Sequence, residues 1–110
     1  MKIQKKTDKE LYELIINKIN SGYVLFTSHA LKRMSERNIT EMVILAILLK
    51  SKGATRRRNK RKDTFEDISI VEKAQDWKYC IEGEFLESET IRIIITFNDN
   101  KMPVITVINL

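Results

Sequence analysis

An α+β fold is predicted for this chain, with N-terminal helices packed on one face of a four-stranded antiparallel sheet. Three observations carry the prediction. Apolar residues recur every three to four positions through the first half, and alternate every second position through the second half. Between the halves lies a tract with no apolar pattern and a dense positive charge. Helices followed by consecutive strands, rather than alternating with them, favour an antiparallel meander. The 110 residues suffice for one domain with one core. Helices are expected over about 8–50, a basic loop over about 51–66 and the sheet over about 67–110.

The first helix is expected over Asp8–Gly22. Leu11, Leu14, Ile15 and Ile19 keep the helical spacing and Ile16 widens the stripe. Thr7 or Asp8 can cap its start, and Gly22 can end it. Tyr23–Phe26 reads as a short extended link. Ser28 is a suitable cap for a second helix over Ser28–Arg37, with Asn38 as its stop. Thr40 can cap a third, Glu41–Lys50, with Glu41 where the helix dipole favours a negative charge. Met42, Val43, Ala46, Ile47 and Leu49 make this helix apolar over most of its surface, so it is expected to be the buried one, closed by Gly53.

Strands are expected at Asp67–Glu72, Trp77–Glu82, Thr90–Phe97 and Pro103–Leu110, on alternation and β-branched content. Asn98–Lys101 reads as the turn of a hairpin between the last two. The expected core is Leu14, Ile15, Leu31, Met34, Val43, Ile47, Ile93, Ile95 and Val107.

Composition narrows the function classes. A hydrophobic content of 43% with 32% charged residues is that of an ordinary soluble domain. Cys80 and His29 are the only cysteine and histidine, so neither an internal disulfide nor a zinc site is expected. No metal or other cofactor is expected. The start MKIQKKTDKE has no apolar core of a secretory leader, and the apolar run Met42–Leu49 is too short to span a bilayer. A cytoplasmic setting is the expectation. The net charge of +5 is concentrated: Lys50, Lys52, Arg56, Arg57, Arg58, Lys60, Arg61 and Lys62 form a tract without an acid. Removing these eight charges from +5 leaves −3 on the rest of the chain. Such a patch is the footprint of a polyanion binder, with Arg56, Arg57, Arg58, Lys60, Arg61 and Lys62 as candidate nucleic-acid contacts. A solvated charged loop is the blander alternative.

The chemistry-bearing stretch is SHALKRMSER, Ser28–Arg37. At about 100° per residue, His29, Arg33 and Arg37 fall at roughly 0°, 40° and 80° around the helix axis. Ala30, Met34 and Leu31 fall at roughly 100°, 140° and 200° and form the apolar side. One titratable ring beside two fixed cations suits a phosphodiester: arginines fork onto phosphate oxygens and histidine moves a proton. The blander alternative is a solvated helix face.

The last hairpin offers a second set. Pairing of Ile94 with Thr106 would set Arg92, Thr96 and Thr106 on one open sheet face, a floor for a nucleotide; a one-residue slip would send Thr106 into the core. Threonine in a strand also has the plainer explanation of β-branching.

The pattern SHALKRMSERNIT, then KYCIEG, TIRIIITF and VITVINL, resembles the bacterial domain-of-unknown-function family 4258, over about Phe26 to Leu110. That family is placed by similarity near the superfold of barnase, EndoU, colicin and RelE, small metal-independent ribonucleases that include many toxins. The resemblance implies His29, Arg33 and Arg37 as the site, with Arg92 and Thr106 as sheet partners. It implies a metal-independent endoribonuclease with RNA as its partner, one that could serve as the toxin of a toxin–antitoxin pair and so also meet an antitoxin or another acidic protein. The reaction is attack of the 2′-hydroxyl on its neighbouring phosphate, with His29 in one proton-transfer role. The second role is open to Tyr79, Glu36 or water. Glu36 also suits an i,i+4 pair with Lys32. Trp77 and Tyr79 could stack on bases or pack in the core. Two other classes compete: a non-catalytic nucleic-acid-binding module, and a protein-interaction domain (antitoxin, immunity protein or effector) with a basic docking loop.

The basic tract yields a direct test. Replacing Arg56, Arg57 and Arg58 by alanine is expected to weaken RNA binding equally across sequences. The slope of log affinity against log salt should shrink by about 2–3 units. An unchanged slope in a binding titration would remove these residues from the RNA contact.

Overall fold

A computed structural model describes residues 6–50, 55–58, 78–85, 89–98 and 100–109, with 55–58, 85 and 109 as backbone. The element order is α1 (Asp8–Asn20), β1 (Val24–Phe26), α2 (Ser28–Glu36), α3 (Glu41–Lys50), β2 (Thr55–Arg58), β3 (Lys78–Phe85), β4 (Glu89–Ile95) and β5 (Met102–Asn109). The fold is α+β with the helices N-terminal, as the change of period predicts. No described helix is long and apolar enough to cross a membrane.

α1 begins with a capping box: the Thr7 hydroxyl accepts from the Glu10 N–H at 3.2 Å, and the Glu10 carboxylate accepts from the Thr7 N–H at 2.9 Å. It stops at the Ser21 cap, and Gly22 turns the chain at φ +75°, in the left-handed region where glycine is favoured. α2 is capped by Thr27, not by Ser28 as expected. Both residue types can cap, and the choice falls to Thr27 because its backbone is the one held extended against β5. Asn38 follows α2 at φ 55°, a conformation asparagine tolerates.

The sheet order is β1-β5-β4-β3-β2. It is mixed rather than purely antiparallel: the expected link Tyr23–Phe26 contributes β1, which runs parallel to β5 with Leu25 opposite Pro103. Three residues are too few to show alternation, and their partner lies far along the chain. The other pairings are antiparallel. The expected basic loop over 51–66 is also corrected, because Thr55–Arg58 forms β2 beside β3, with Arg57 opposite Tyr79. β3 supplies the backbone template, and an arginine run offers no apolar alternation to reveal it. The expected strand Asp67–Glu72, Trp77 and the candidates Lys60, Arg61 and Lys62 lie outside the described residues.

One core joins the helices to one face of the sheet. Leu11 and Ile15 of α1, Ala30 and Met34 of α2, and Ile44, Ile47 and Leu48 of α3 pack with Tyr79, Ile81, Ile91, Ile93, Ile95, Val104 and Val107. Leu14 and Val43 are only partly buried. Leu31 is 43% exposed and not in the core. Its position is about 80° from the mean direction of Ala30 and Met34, on the flank of the buried stripe. α3 is likewise not buried all round: Met42 is 80% and Leu49 38% exposed. The helix is buried through Ile44, Ile47 and Leu48, with Val43 at the edge of the core.

α3 approaches the sheet closely at Gly83. A Cβ there would lie 2.3 Å from Cγ2 of Ile47. Any side chain at 83 must therefore lift α3 or displace a branched residue with a stiff χ1. Gly83→Ala is expected to lower stability by about 1–3 kcal/mol. In a double-mutant cycle read by urea denaturation, Ile47→Ala should cost less on the Gly83→Ala background than on the native one. Strict additivity would show that the two residues do not press on each other.

Candidate functional site

The site is built on how α2 is fastened to β5. Thr27 is buried, and each of its polar groups is bonded. Its N–H donates to the Val104 carbonyl at 3.1 Å, and its hydroxyl donates to the Ile105 carbonyl at 2.7 Å. The same hydroxyl accepts from the Ala30 N–H at 3.1 Å, and the Thr27 carbonyl accepts from the Leu31 N–H at 2.9 Å. The cap of α2 is thus also its tether to the sheet.

His29 follows as the second residue of the helix. It is half-buried, with Nδ1 covered. Arg33 and Arg37 lie one and two turns on, both exposed, with Arg37 at the C-cap. His29 and Arg33 thus stand one turn apart on α2, while Arg37 lies just past its last helical residue, Glu36. Glu36 pairs with Arg33 at 3.6 Å, not with Lys32 as expected. The two side chains are each 48% exposed, and such pairs contribute little, so Arg33 can exchange its partner at small cost.

The hairpin register explains Thr106. Near the turn Asn98 bridges Lys101, and Ile95 lies opposite Val104. Continued unbroken, that register would pair Ile93 with Thr106 and turn the threonine to the helices. A bulge at Ile105 intervenes, so Ile94 pairs with Thr106 and Ile93 with Val107. Arg92, Thr96 and Thr106 then share the face away from the helices. This face is not the open floor expected: Thr96 is 0% and Thr106 4% exposed, beside a cluster of Cys80, Ile94 and Ile105. Apolar positions alternate on both faces of β4, so burial extends to both.

Arg92 is already engaged. It lies opposite Glu82 on β3, and its Nε and Nη2 donate to one Glu82 carboxylate oxygen at 3.1 and 2.9 Å. Across β5 it lies opposite Ile108, one same-face position beyond Thr106. Sequence reasoning missed Glu82. Within the strand Glu82 alternates with Lys78 and Cys80, which sets the three on one face, but its pairing with Arg92 depends on the β3–β4 register. Tyr79 is corrected as a proton-transfer candidate. It is fully buried on the helix side, its hydroxyl accepts from the Lys6 N–H at 3.1 Å, and its ring packs on Phe97.

The structure sets His29 and Arg33 on α2, with Arg37 at its C-cap, and ties that helix to β5 directly before Thr106. It places Arg92 on the same sheet face as Thr106 but commits it to Glu82. Backbone register alone describes Arg56–Arg58. Among the described residues no three histidine, cysteine, aspartate or glutamate side chains cluster so as to hold a metal ion.

Two stability measurements separate tether from surface. Thr27→Val should cost about 2–3 kcal/mol, from the lost cap and the buried Ile105 carbonyl left unmet, and Thr27→Ser should restore most of it. Arg92→Ala should cost about 1–2 kcal/mol through the partly buried Glu82, against about 0.5 or less for Arg33→Ala. Equal losses for the two arginines in urea denaturation would contradict the difference in burial.

A search of curated proteins and a search of solved structures find no match to this chain. A family model, described as domain of unknown function (DUF4258), matches residues 26–109, from the last residue of β1 to that of β5. On that match, the chain belongs to the DUF4258 family.

Proposed function

We propose that this protein is a small ribonuclease that cleaves RNA through the 2′-hydroxyl, with the exposed face of α2 as its chemical centre. The observation that carries the reading is the register of His29 with Arg33 and Arg37 on a helix whose first turn is fastened to the sheet. A phosphate lying along this face meets two guanidinium forks and an imidazole. Guanidinium forks suit phosphate oxygens, and an imidazole is a side chain able to carry a proton either way. His29 takes or gives one proton, and Arg33 and Arg37 hold the charge that grows on the phosphate oxygens. The 2′-oxygen bonds to phosphorus, the 5′-oxygen leaves with a proton, and a cyclic phosphate remains. Metal is not required for these steps.

Arg92 is a secondary contact in this reading, because it must share its guanidinium between Glu82 and a ligand. Thr106 acts through β5, as a packed neighbour of the tether, rather than as a surface hydroxyl. The basic tract supplies sequence-independent phosphate contacts along the RNA. A cytoplasmic toxin restrained by an antitoxin is the setting that fits such an activity, and it rests on fold-level analogy.

The test is paired. RNA cleavage in chelator and thermal melting are measured on the native chain and on His29→Ala. Cleavage should fall by about 10²–10⁴, the usual share of general acid–base catalysis, while RNA affinity is largely kept. Stability should change by about 1 kcal/mol or less, since His29 is half-buried and outside the core cluster. Undiminished cleavage removes His29 from the mechanism, and a collapse in melting temperature makes it a residue that holds its helix. RNA binding without cleavage by the native chain would favour a non-catalytic binding module.

A further inference from the structure

α3 carries two apolar faces on opposite sides. At about 100° per residue with Met42 at 0°, Ala46 and Leu49 fall within about 40°, and Leu45 at about −60°. Ile44, Ile47 and Leu48, which pack on the sheet, fall at about 140° to 240°. The outward stripe is therefore not a continuation of the core. Met42, Ala46 and Leu49 are exposed, and Leu45 is half-buried. A helix with a whole apolar stripe in solvent marks a contact surface.

The charges at its ends are self-complementary. Glu41 lies in the first turn and Lys50 in the last, both exposed. A uniformly acidic or uniformly basic partner would be repelled at one end. A second α3 running antiparallel meets no such conflict: its acidic end lies level with the basic end of the first, and the two helix dipoles oppose. A two-fold axis perpendicular to α3 gives this arrangement and makes the same patch face itself. That axis passes near Ala46, where a small side chain lets the backbones approach. Met42 of the second copy then lies level with Leu49, beside a groove of about 160 Å³ lined by Val43, Ala46, Ile47, Lys50, Gly83 and Glu84. Methionine is the apolar side chain best able to adapt to such a groove.

We propose that the outward stripe of α3, Met42, Ala46 and Leu49, is the interface of a two-fold symmetric homodimer with antiparallel α3 helices. The interface lies on α3, apart from the His29 face of α2, so the proposal is independent of the proposed function.

Sedimentation of the full chain over a micromolar concentration series tests it. The native chain is expected to shift from the mass of one copy to that of two as concentration rises. Met42→Glu should stay monomeric, and at dilutions where the native chain is also monomeric the two should melt alike, since residue 42 is 80% exposed in the monomer. Ala46→Cys reads the geometry without relying on that variant. Under mild oxidation it should form an intermolecular disulfide about ten-fold or more faster than Ser35→Cys, an exposed position on α2, because pairing holds the two thiols together. Cys80 is buried and leaves the comparison clean. A native chain that is monomeric at every concentration overturns the proposal and leaves the stripe to a different protein. Equal cross-linking at 46 and 35, or a Met42→Glu chain that still pairs, overturns it as well.

Discussion

The rest of the structure depends on the hydroxyl of Thr27. It accepts from the Ala30 N–H in the first turn of α2 and donates to the Ile105 carbonyl of β5, while the Thr27 N–H donates to the carbonyl of the residue before, Val104. A helix start needs a cap and a strand edge needs partners; one side chain meets both needs where water cannot. Because the two bonds share an oxygen, the position of α2 cannot drift from that of the sheet without breaking both. The parallel strand β1 is a consequence. To bring Thr27 to Val104 and Ile105, the three residues before it must run along β5, and they complete its ladder from Met102 to Val104.

The Ile105 bulge is the second constraint. It turns Thr106 to the face away from the helices and leaves Val104 and Val107 both on the helix face. The core thereby keeps a valine on each side of the bulge, and the far face gains a threonine beside Ile94. The row beyond it holds Arg92 and Glu82, whose bonds join β4 to β3. Polar groups on this face are thus placed by strand register, while those on α2 are placed by helical register. The Thr27 tether is what relates one set to the other.

α3 is governed by a different economy of contact. Its descent onto Gly83 lets Ile47 reach the sheet, and the outward stripe is what remains of an almost wholly apolar sequence. Such a sequence carries no signal of which side is buried, since the periodic contrast that marks an amphipathic helix is missing.

By itself the sequence determined the three helices, the existence of the last three strands, expected at Trp77–Glu82, Thr90–Phe97 and Pro103–Leu110, and the hairpin at Asn98–Lys101, while the ends of those strands shifted by up to three residues. Each of these follows from spacing within a few residues, where backbone geometry converts position directly into direction. Only the tertiary structure decided that Thr27 and not Ser28 caps α2, that β1 is parallel, that Thr55–Arg58 joins the sheet, that Glu82 meets Arg92, and that Leu31 and Met42 stay outside the core. These turn on partners distant in the chain. A bulge of one residue or a choice between two adjacent caps is settled by the bonds the far strand offers, and no local pattern records it.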